Sequence, residues 1–442
     1  MGPGHVLHRS LRARPPVADH GEGIFLVDSD GRRYLDACGG AAVSCLGHGH
    51  PGIAAAIAEQ TARLEFVHTG FFTSDAAEEL ASLIAGMSPG LDRVWYTSSG
   101  SEAVEAALKL ARQYHLERGD TGRSRVIARR LSYHGNTLGA LAAGGSQWRR
   151  APYTPLLIDV SLVDPCFEYR LAEPGESPEA YGLRAADALE RELIRLGPDT
   201  VMAFIAETVV GATAGAVPPV AGYLQHIREI CDSYGVLLIL DEVMCGSGRT
   251  GTFLSCEQEG VVPDIATLGK GLGGGYQPIG AVLCTKTVHD TIANGSGALM
   301  HGQTYNAHPV GCAAALAVQK VIEGEGLLGR VSVAGERLRS LLIERFGQHA
   351  NVGDIRGRGL LIAIELVADR ETQAPFDPAM RLHELAKSEA FARGLLIYPG
   401  GGTADGRAGD HILLAPPYNV TDAELDMIVD LLAGTLDAVL PS

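Results

Sequence analysis

Two short apolar runs, each closed by an acid, constrain this chain most: 201–206 (VMAFIA) ends in Glu207, and 236–240 (VLLIL) ends in Asp241. Neither run alternates with polar residues, so each reads as a strand buried on both faces. The stretch 223–234 between them has helical spacing, and a helix at 183–196 precedes the first run. Strand, helix, strand in that order joins parallel neighbours by a crossover, which implies a mainly parallel sheet covered by helices on both faces. Sheets of this kind bind ligands beyond the carboxyl ends of their strands. The pattern therefore places Glu207 and Asp241 at a ligand edge.

Two more stretches share that placement. Ser98-Ser99-Gly100-Ser101 follows the apolar 94–96 and opens a helical pattern through Val104, Leu108 and Ala111. A helix N-terminus after a strand presents free N–H groups to an anion, although serine N-capping alone would also account for it. Tyr133 and His134 follow a strand at 125–128, where an aromatic face can meet a flat ligand or simply fill a turn. Shared position at strand ends is what favours the ligand readings.

The stretch 267–280, TLGKGLGGGYQPIG, sets Lys270 among glycines after the Asp241 strand. A partly desolvated amine loses its proton more readily and can attack a carbonyl to form a Schiff base. An exposed loop lysine is the plainer alternative for the residue taken alone. Gly269, Gly271 and Gly274 also satisfy G-x-G-x-x-G, but 278–284 reads as a strand, whereas a dinucleotide fingerprint must open a helix. The dinucleotide reading therefore fails.

With 442 residues, 46% of them apolar, and a mean hydropathy of +0.10, the chain has material for a large core and a second lobe. A net charge of −16 argues against a nucleic-acid surface or a polybasic membrane anchor. The eight cysteines lack C-x-x-C pairs, so neither zinc nor a disulfide framework is expected, and a cytoplasmic location is the expectation. His48 and His50 read as turn residues before Pro51, and no metal site is expected. The N-terminus has no apolar signal core, position 6 is Val rather than the Ser or Thr of a myristoylation signal, and no apolar run is long enough to span a membrane.

The rest of the chain reads as an arm, a hairpin around Asp30-Gly31, a helix at 51–64, a proline- and acid-rich surface loop at 164–182, and a polar loop that becomes a long helix within 301–323. After 324 the character changes to α+β, with a helix to 346, strands within 352–366, a helix at 380–392 and a last helix capped by Thr421 and Glu424. The expected organisation is an N-terminal arm and part of a small domain at 1–65, a large domain at 66–325 and a C-terminal small domain at 326–442.

SSGSEAVEAALKLAR, SYHGNT, DEV…GRTG, TLGKGLGGG and HGQTYNAHP occur in an order and spacing that resemble the class III (fold type I) aminotransferases, which depend on pyridoxal 5′-phosphate (PLP), over nearly the whole chain. The resemblance implies a seven-stranded-type large domain with a smaller α+β domain built from the two chain ends. It also implies roles for single residues. Lys270 matches the Schiff-base lysine, Asp241 the partner of the pyridinium nitrogen, Val243 the residue behind the ring and Tyr133 the one stacked in front. Gly100 and Ser101, with Ser99 beside them, match the phosphate turn, and His134 and Glu207 belong to the cofactor surroundings. Thr304 matches a threonine that reaches the cofactor of a neighbouring subunit, so a homodimer with shared active sites is implied, with a tetramer as a further option. Lys270, Asp241 and Tyr133 are the expected catalytic set, with ping-pong kinetics between an amine donor and a keto acid.

Within that family, the ornithine, acetylornithine and 4-aminobutyrate branches carry a glutamate where this chain has Ala212. Alanine there resembles the ω-amine:pyruvate and β-alanine:pyruvate branch, whose carboxylate-binding arginine precedes a G-D-H-I strand. In GGTADGRAGDHILLAPP the corresponding candidate is Arg407, slightly offset in a longer, glycine-rich loop. Glu207 is followed by Thr-Val-Val where the family commonly has Pro-Val-Gln. Val43, Phe71 and Phe72 are the other expected substrate contacts. The expected function is transfer of an amino group from a primary amine or ω-amino acid to pyruvate or another small 2-oxo acid. A decarboxylase, aminomutase or racemase of the same family, and a non-catalytic PLP-binding protein, are the alternatives.

Overall fold

The computed structural model describes residues 5–12 and 14–441. Residues 1–4, Ala13 and Ser442, which belong to the expected arm and to the end of the expected C-terminal domain, lie outside the described residues. Strands β1 (Ala18–Glu22), β2 (Phe25–Asp28) and β3 (Arg33–Asp36) come first, and the hairpin around Asp30-Gly31 joins the last two. β1 extends that hairpin as a third strand, inside what the sequence suggested was arm.

Seven strands follow: β4 (Arg93–Thr97), β5 (Arg125–Arg129), β6 (Val160–Val163), β7 (Val201–Glu207), β8 (Leu237–Asp241), β9 (Ile265–Leu268) and β10 (Gly280–Cys284). They form one sheet in the order β4-β10-β9-β8-β7-β5-β6. β10 runs antiparallel to both its neighbours, and the other pairings are parallel, so the sheet is mixed and mainly parallel. The apolar runs are buried on both faces because the period of two splits them between two cores. Leu238, Leu240, Ala266 and Leu268 join one core, while Leu237, Ile239 and Ile265 join the core on the opposite face.

β11 (Val352–Arg358), β12 (Leu361–Leu366), β13 (Leu395–Leu396), β14 (Tyr398–Gly401) and β15 (Asp410–Leu414) complete the strands. β13 pairs in parallel with β3, Leu395 opposite Leu35, so the two chain ends share a sheet and a core that also holds Ile24, Ile428 and Leu432. β11, β12, β15 and β14 form a separate antiparallel sheet. The last helix, Asp422–Val439, begins at the capping box of Thr421 and Glu424.

The stretch read as a surface loop differs. It contains a short helix, Glu168–Leu171, and Pro178 opens the helix Pro178–Leu196 ahead of the expected start. Ser177 caps that helix by accepting the Ala180 N–H, and proline suits the first helical position because its missing N–H would be unpaired there anyway. Cys166 and Phe167 are buried, and the Phe167 N–H donates to the Tyr181 hydroxyl at 2.7 Å. Among the described residues, no helix is long and apolar enough to cross a membrane.

Candidate active site

Strand register assembles the site. Glu207 is opposite Asp241 across β7 and β8, and Asp241 is opposite Thr267 across β8 and β9, so three polar side chains lie side by side at or next to the ends of adjacent strands, at one sheet edge. Lys270 lies just past the end of β9, and Tyr133 and His134 follow β5. β4 runs in the same direction as β9, because both are antiparallel to β10, so Ser99, Gly100 and Ser101 reach the same edge. All of these except Thr267 line one cavity of about 160 Å³, together with Gly135, Ala212, Val243 and Met244.

The polar groups hold one another. The His134 ring donates from Nδ1 to Asp241 Oδ2 at 2.8 Å, and the Thr267 hydroxyl and the Val243 N–H donate to Asp241 Oδ1 at 3.1 and 3.0 Å. Those donors keep Asp241 oriented although it is only 3% exposed. Glu207 accepts the N–H groups of Tyr133 at 3.0 Å and Gly211 at 2.8 Å. Burial and the neighbouring Asp241 raise the Glu207 pKa, against the pull of His134.

Lys270 is the one non-glycine residue of its glycine-rich turn with positive φ, +45°. Such backbone strain is tolerated where the surroundings over-determine the conformation. Burial pushes its amine down to about 8, although Asp241 and Glu207 pull the other way. An amine of that pKa is partly unprotonated near neutrality and is a competent nucleophile toward a carbonyl.

The helix Gly100–Glu117 points its N-terminus at the same space. Ser99 Oγ accepts the Glu102 N–H, which leaves the N–H groups of Gly100 and Ser101 as first-turn donors for an anion. Ser101 Oγ is engaged by the Asn136 N–H at 3.0 Å. A Cβ on Gly100 would come within 2.6 Å of Val243, so the backbone needs glycine for Val243 to lie over the helix start. Lysine and carboxylates at the strand ends, an apolar side chain above and a helix N-terminus beside them suit an aromatic aldehyde bearing a phosphate.

A second cavity of about 510 Å³ adjoins the first, and Ala212 lines both. Its walls include Leu131, Trp148, Arg149, His383, Tyr398 and the glycine-rich loop with Arg407. Val43 is half-buried beside Gly275. Phe71 and Phe72 are 81% and 69% exposed and Thr304 is exposed, so the single chain does not bring these three to Lys270.

Sequence reasoning missed Thr267, although it begins the same stretch as Lys270. It also missed Arg149, whose setting in GGSQWRRAPY gives no pattern that separates it from a solvated arginine.

This fold and site define a phosphate-anchored, Schiff-base type of α/β enzyme. The sequence profile of the family described as "Aminotransferase class-III" matches residues 9–436. An uncharacterised aminotransferase of Schizosaccharomyces pombe is 44% identical over 98% of this chain and 95% of its own length. The taurine–pyruvate aminotransferase of Rhodobacter capsulatus is 36% identical over 99% of this chain and 95% of its own. The solved structure of an (S)-enantioselective ω-transaminase from Thermomicrobium roseum superposes with a TM-score of 0.92 at 35% identity, covering 99% of this chain and 97% of that one. The chain belongs to the class III aminotransferases, and its cofactor is pyridoxal 5′-phosphate.

Proposed function

We propose that the enzyme moves an amino group from a primary amine or an ω-amino acid to pyruvate or another small 2-oxo acid, in two half-reactions. The observation that carries this reading is Ala212, an uncharged residue in the wall shared by the two cavities, which leaves the path from Lys270 to Arg407 free of a carboxylate there. The names of the Rhodobacter and Thermomicrobium relatives support the same choice.

In this reading Gly100 and Ser101 would bind the cofactor phosphate, Asp241 would keep a proton on the pyridine nitrogen, and Val243 and Tyr133 would hold the ring. Bound PLP supplies an electron sink for the carbanion formed when the substrate Cα loses its proton. Lys270 Nζ takes that proton and delivers it onward, a task suited to a group with a pKa of about 8. His134 and Thr267 keep Asp241 oriented, and Glu207 fixes the Tyr133 backbone. Arg407, with no side-chain partner among the described residues, receives a substrate carboxylate.

Thr304 would reach the cofactor of a second copy of the chain. Support comes from apolar groups left open around it: Phe71, Phe72, Met300 and Tyr305 are all more than half exposed. A ring contact of 5.7 Å between Phe66 and Tyr305 holds the two stretches together. The homodimer, the division at 1–65, 66–325 and 326–442, and a cytoplasmic location complete the proposal.

The test is the visible spectrum of the PLP-loaded protein. A primary amine should bleach the cofactor band and pyruvate should restore it. A band that no amine bleaches would overturn the transaminase reading in favour of a decarboxylase, a racemase or a protein that only binds the cofactor.

A further inference from the structure

Arg149 stands out in the larger cavity. Its guanidinium carbon lies 4.4 Å from the Trp148 ring centroid and 4.8 Å from that of Tyr133, the tyrosine that also lines the Lys270 cavity. Among the described residues it has no ion pair and no hydrogen-bond partner, and its Nε is buried and unsatisfied. Other buried or half-buried arginines of this acidic chain have partners for at least part of the group: Arg356 pairs with Asp354 and Glu365, Arg170 with Glu365, and Arg129 and Arg249 donate to backbone carbonyls. The one carboxylate on the wall of this cavity, Glu384, is taken by Arg381 and does not reach Arg149. His383 is held by Asp410 at 2.5 Å.

Leaving a half-buried guanidinium unpaired is costly unless an anion arrives to satisfy it. The two ring contacts hold the cation near the aromatic rings and leave its terminal Nη groups without a hydrogen-bond partner among the described residues, so they can donate to a carboxylate. The rings also fix the side chain in advance, so little side-chain freedom is lost on binding. Because Arg149 lies against Tyr133, which lines the Lys270 cavity, and shares its own cavity with Ala212, which lines both, an anion on it belongs to the far end of a substrate whose amine is at Lys270.

We propose that Arg149 is a substrate-specificity residue that binds the terminal carboxylate of the amino donor and selects ω-amino acids with a long chain between amine and carboxylate. This rests on the function proposed above and names its substrate class. Arg407, exposed on its loop, is the second cation of the same cavity rather than the fixed one.

The test compares ε-aminocaproate, β-alanine and uncharged hexylamine on the PLP-loaded enzyme. Arg149→Gln should lower the ratio of kcat/KM for ε-aminocaproate to that for hexylamine by about tenfold or more, chiefly through KM, and Arg149→Lys should restore part of it. Caproate, which has the chain and the carboxylate but no amine, should bind the wild type and be weakened by Arg149→Gln in a direct titration. Trp148 fluorescence is the reporter. An unchanged ratio, or equal loss for hexylamine and ε-aminocaproate, would overturn the assignment while leaving the transaminase reading intact. A wild type that no amine bleaches would remove both.

Discussion

The two adjoining cavities are built by opposite means. In the Lys270 cavity the side chains come from strand ends, the register of β7, β8 and β9 sets their spacing, and each carboxylate is held by donors from the same chain. The larger cavity takes its walls from β14, the start of the helix Leu382–Ala392 and the loops beside them, and its two arginines have no carboxylate partner among the described residues. A site that performs one reaction on one cofactor gains from preorganisation, whereas a site that chooses among substrates keeps its charges free for them. In the function proposed for the two cavities, the difference is one between fixed chemistry and open specificity.

Lys270→Ala should break the first cavity most completely. Turnover with any amine is expected to fall on the order of 10⁴-fold or more, as when the acting nucleophile of an enzyme is removed. Phosphate-anchored cofactor should stay bound, as measured by phosphate release on denaturation. Turnover close to wild type would remove the central assignment.

A smaller effect is expected from Asp241→Asn, about 10²-fold in kcat with simple amines and ω-amino acids alike, because the charge proposed to hold a proton on the cofactor is lost while His134 and Thr267 keep a partner. Equal loss across substrates is the signature of the first cavity, so a loss confined to carboxylated donors would blur the contrast between the two.

Arg407→Ala should sharpen the comparison from the other side. The ratio of kcat/KM for β-alanine to that for a simple amine is expected to fall about tenfold, with cofactor binding at its wild-type level. Steady-state kinetics read alongside the cofactor spectrum would check it, and a uniform loss across substrates would assign Arg407 to structure instead.

The smallest expected change concerns pH. The Lys270 amine is lowered to about 8 from an ordinary 10.5, so between those values the unfolded chain binds a proton that the cofactor-free fold does not. Stability of the cofactor-free protein should therefore rise with pH across that window, relative to Lys270→Met, which lacks the group. Urea midpoints measured through the window for both proteins give the difference. A flat difference would mean that the amine is not desolvated in the fold.

Much of the first cavity was legible because its residues obey local rules. Apolar runs ending in Glu207 and Asp241, a serine-capped helix after β4 and a lysine among glycines each announce themselves within a few residues. Proline and acid at 164–182 misled, since the same residues that mark loops also start helices, and Ser177 with Pro178 does the latter. Arg149 was illegible for another reason: an arginine in a polar stretch carries no information about whether a carboxylate will lie beside it.

The sequence by itself determined the mainly parallel sheet, five of its strands and the residue types waiting at its edge, because these follow from periodicity and capping within single segments, whereas β6 and β9 carry no such signal. Only the tertiary structure decided which of those residues meet and which charges go unpaired. Register between strands brought Glu207, Asp241 and Thr267 side by side, and the packing of the helix Gln147–Arg150 against the turn after β5 left Arg149 against the rings of Trp148 and Tyr133 with no carboxylate beside it. Pairing across long stretches of chain depends on how whole elements pack, and no local pattern encodes it.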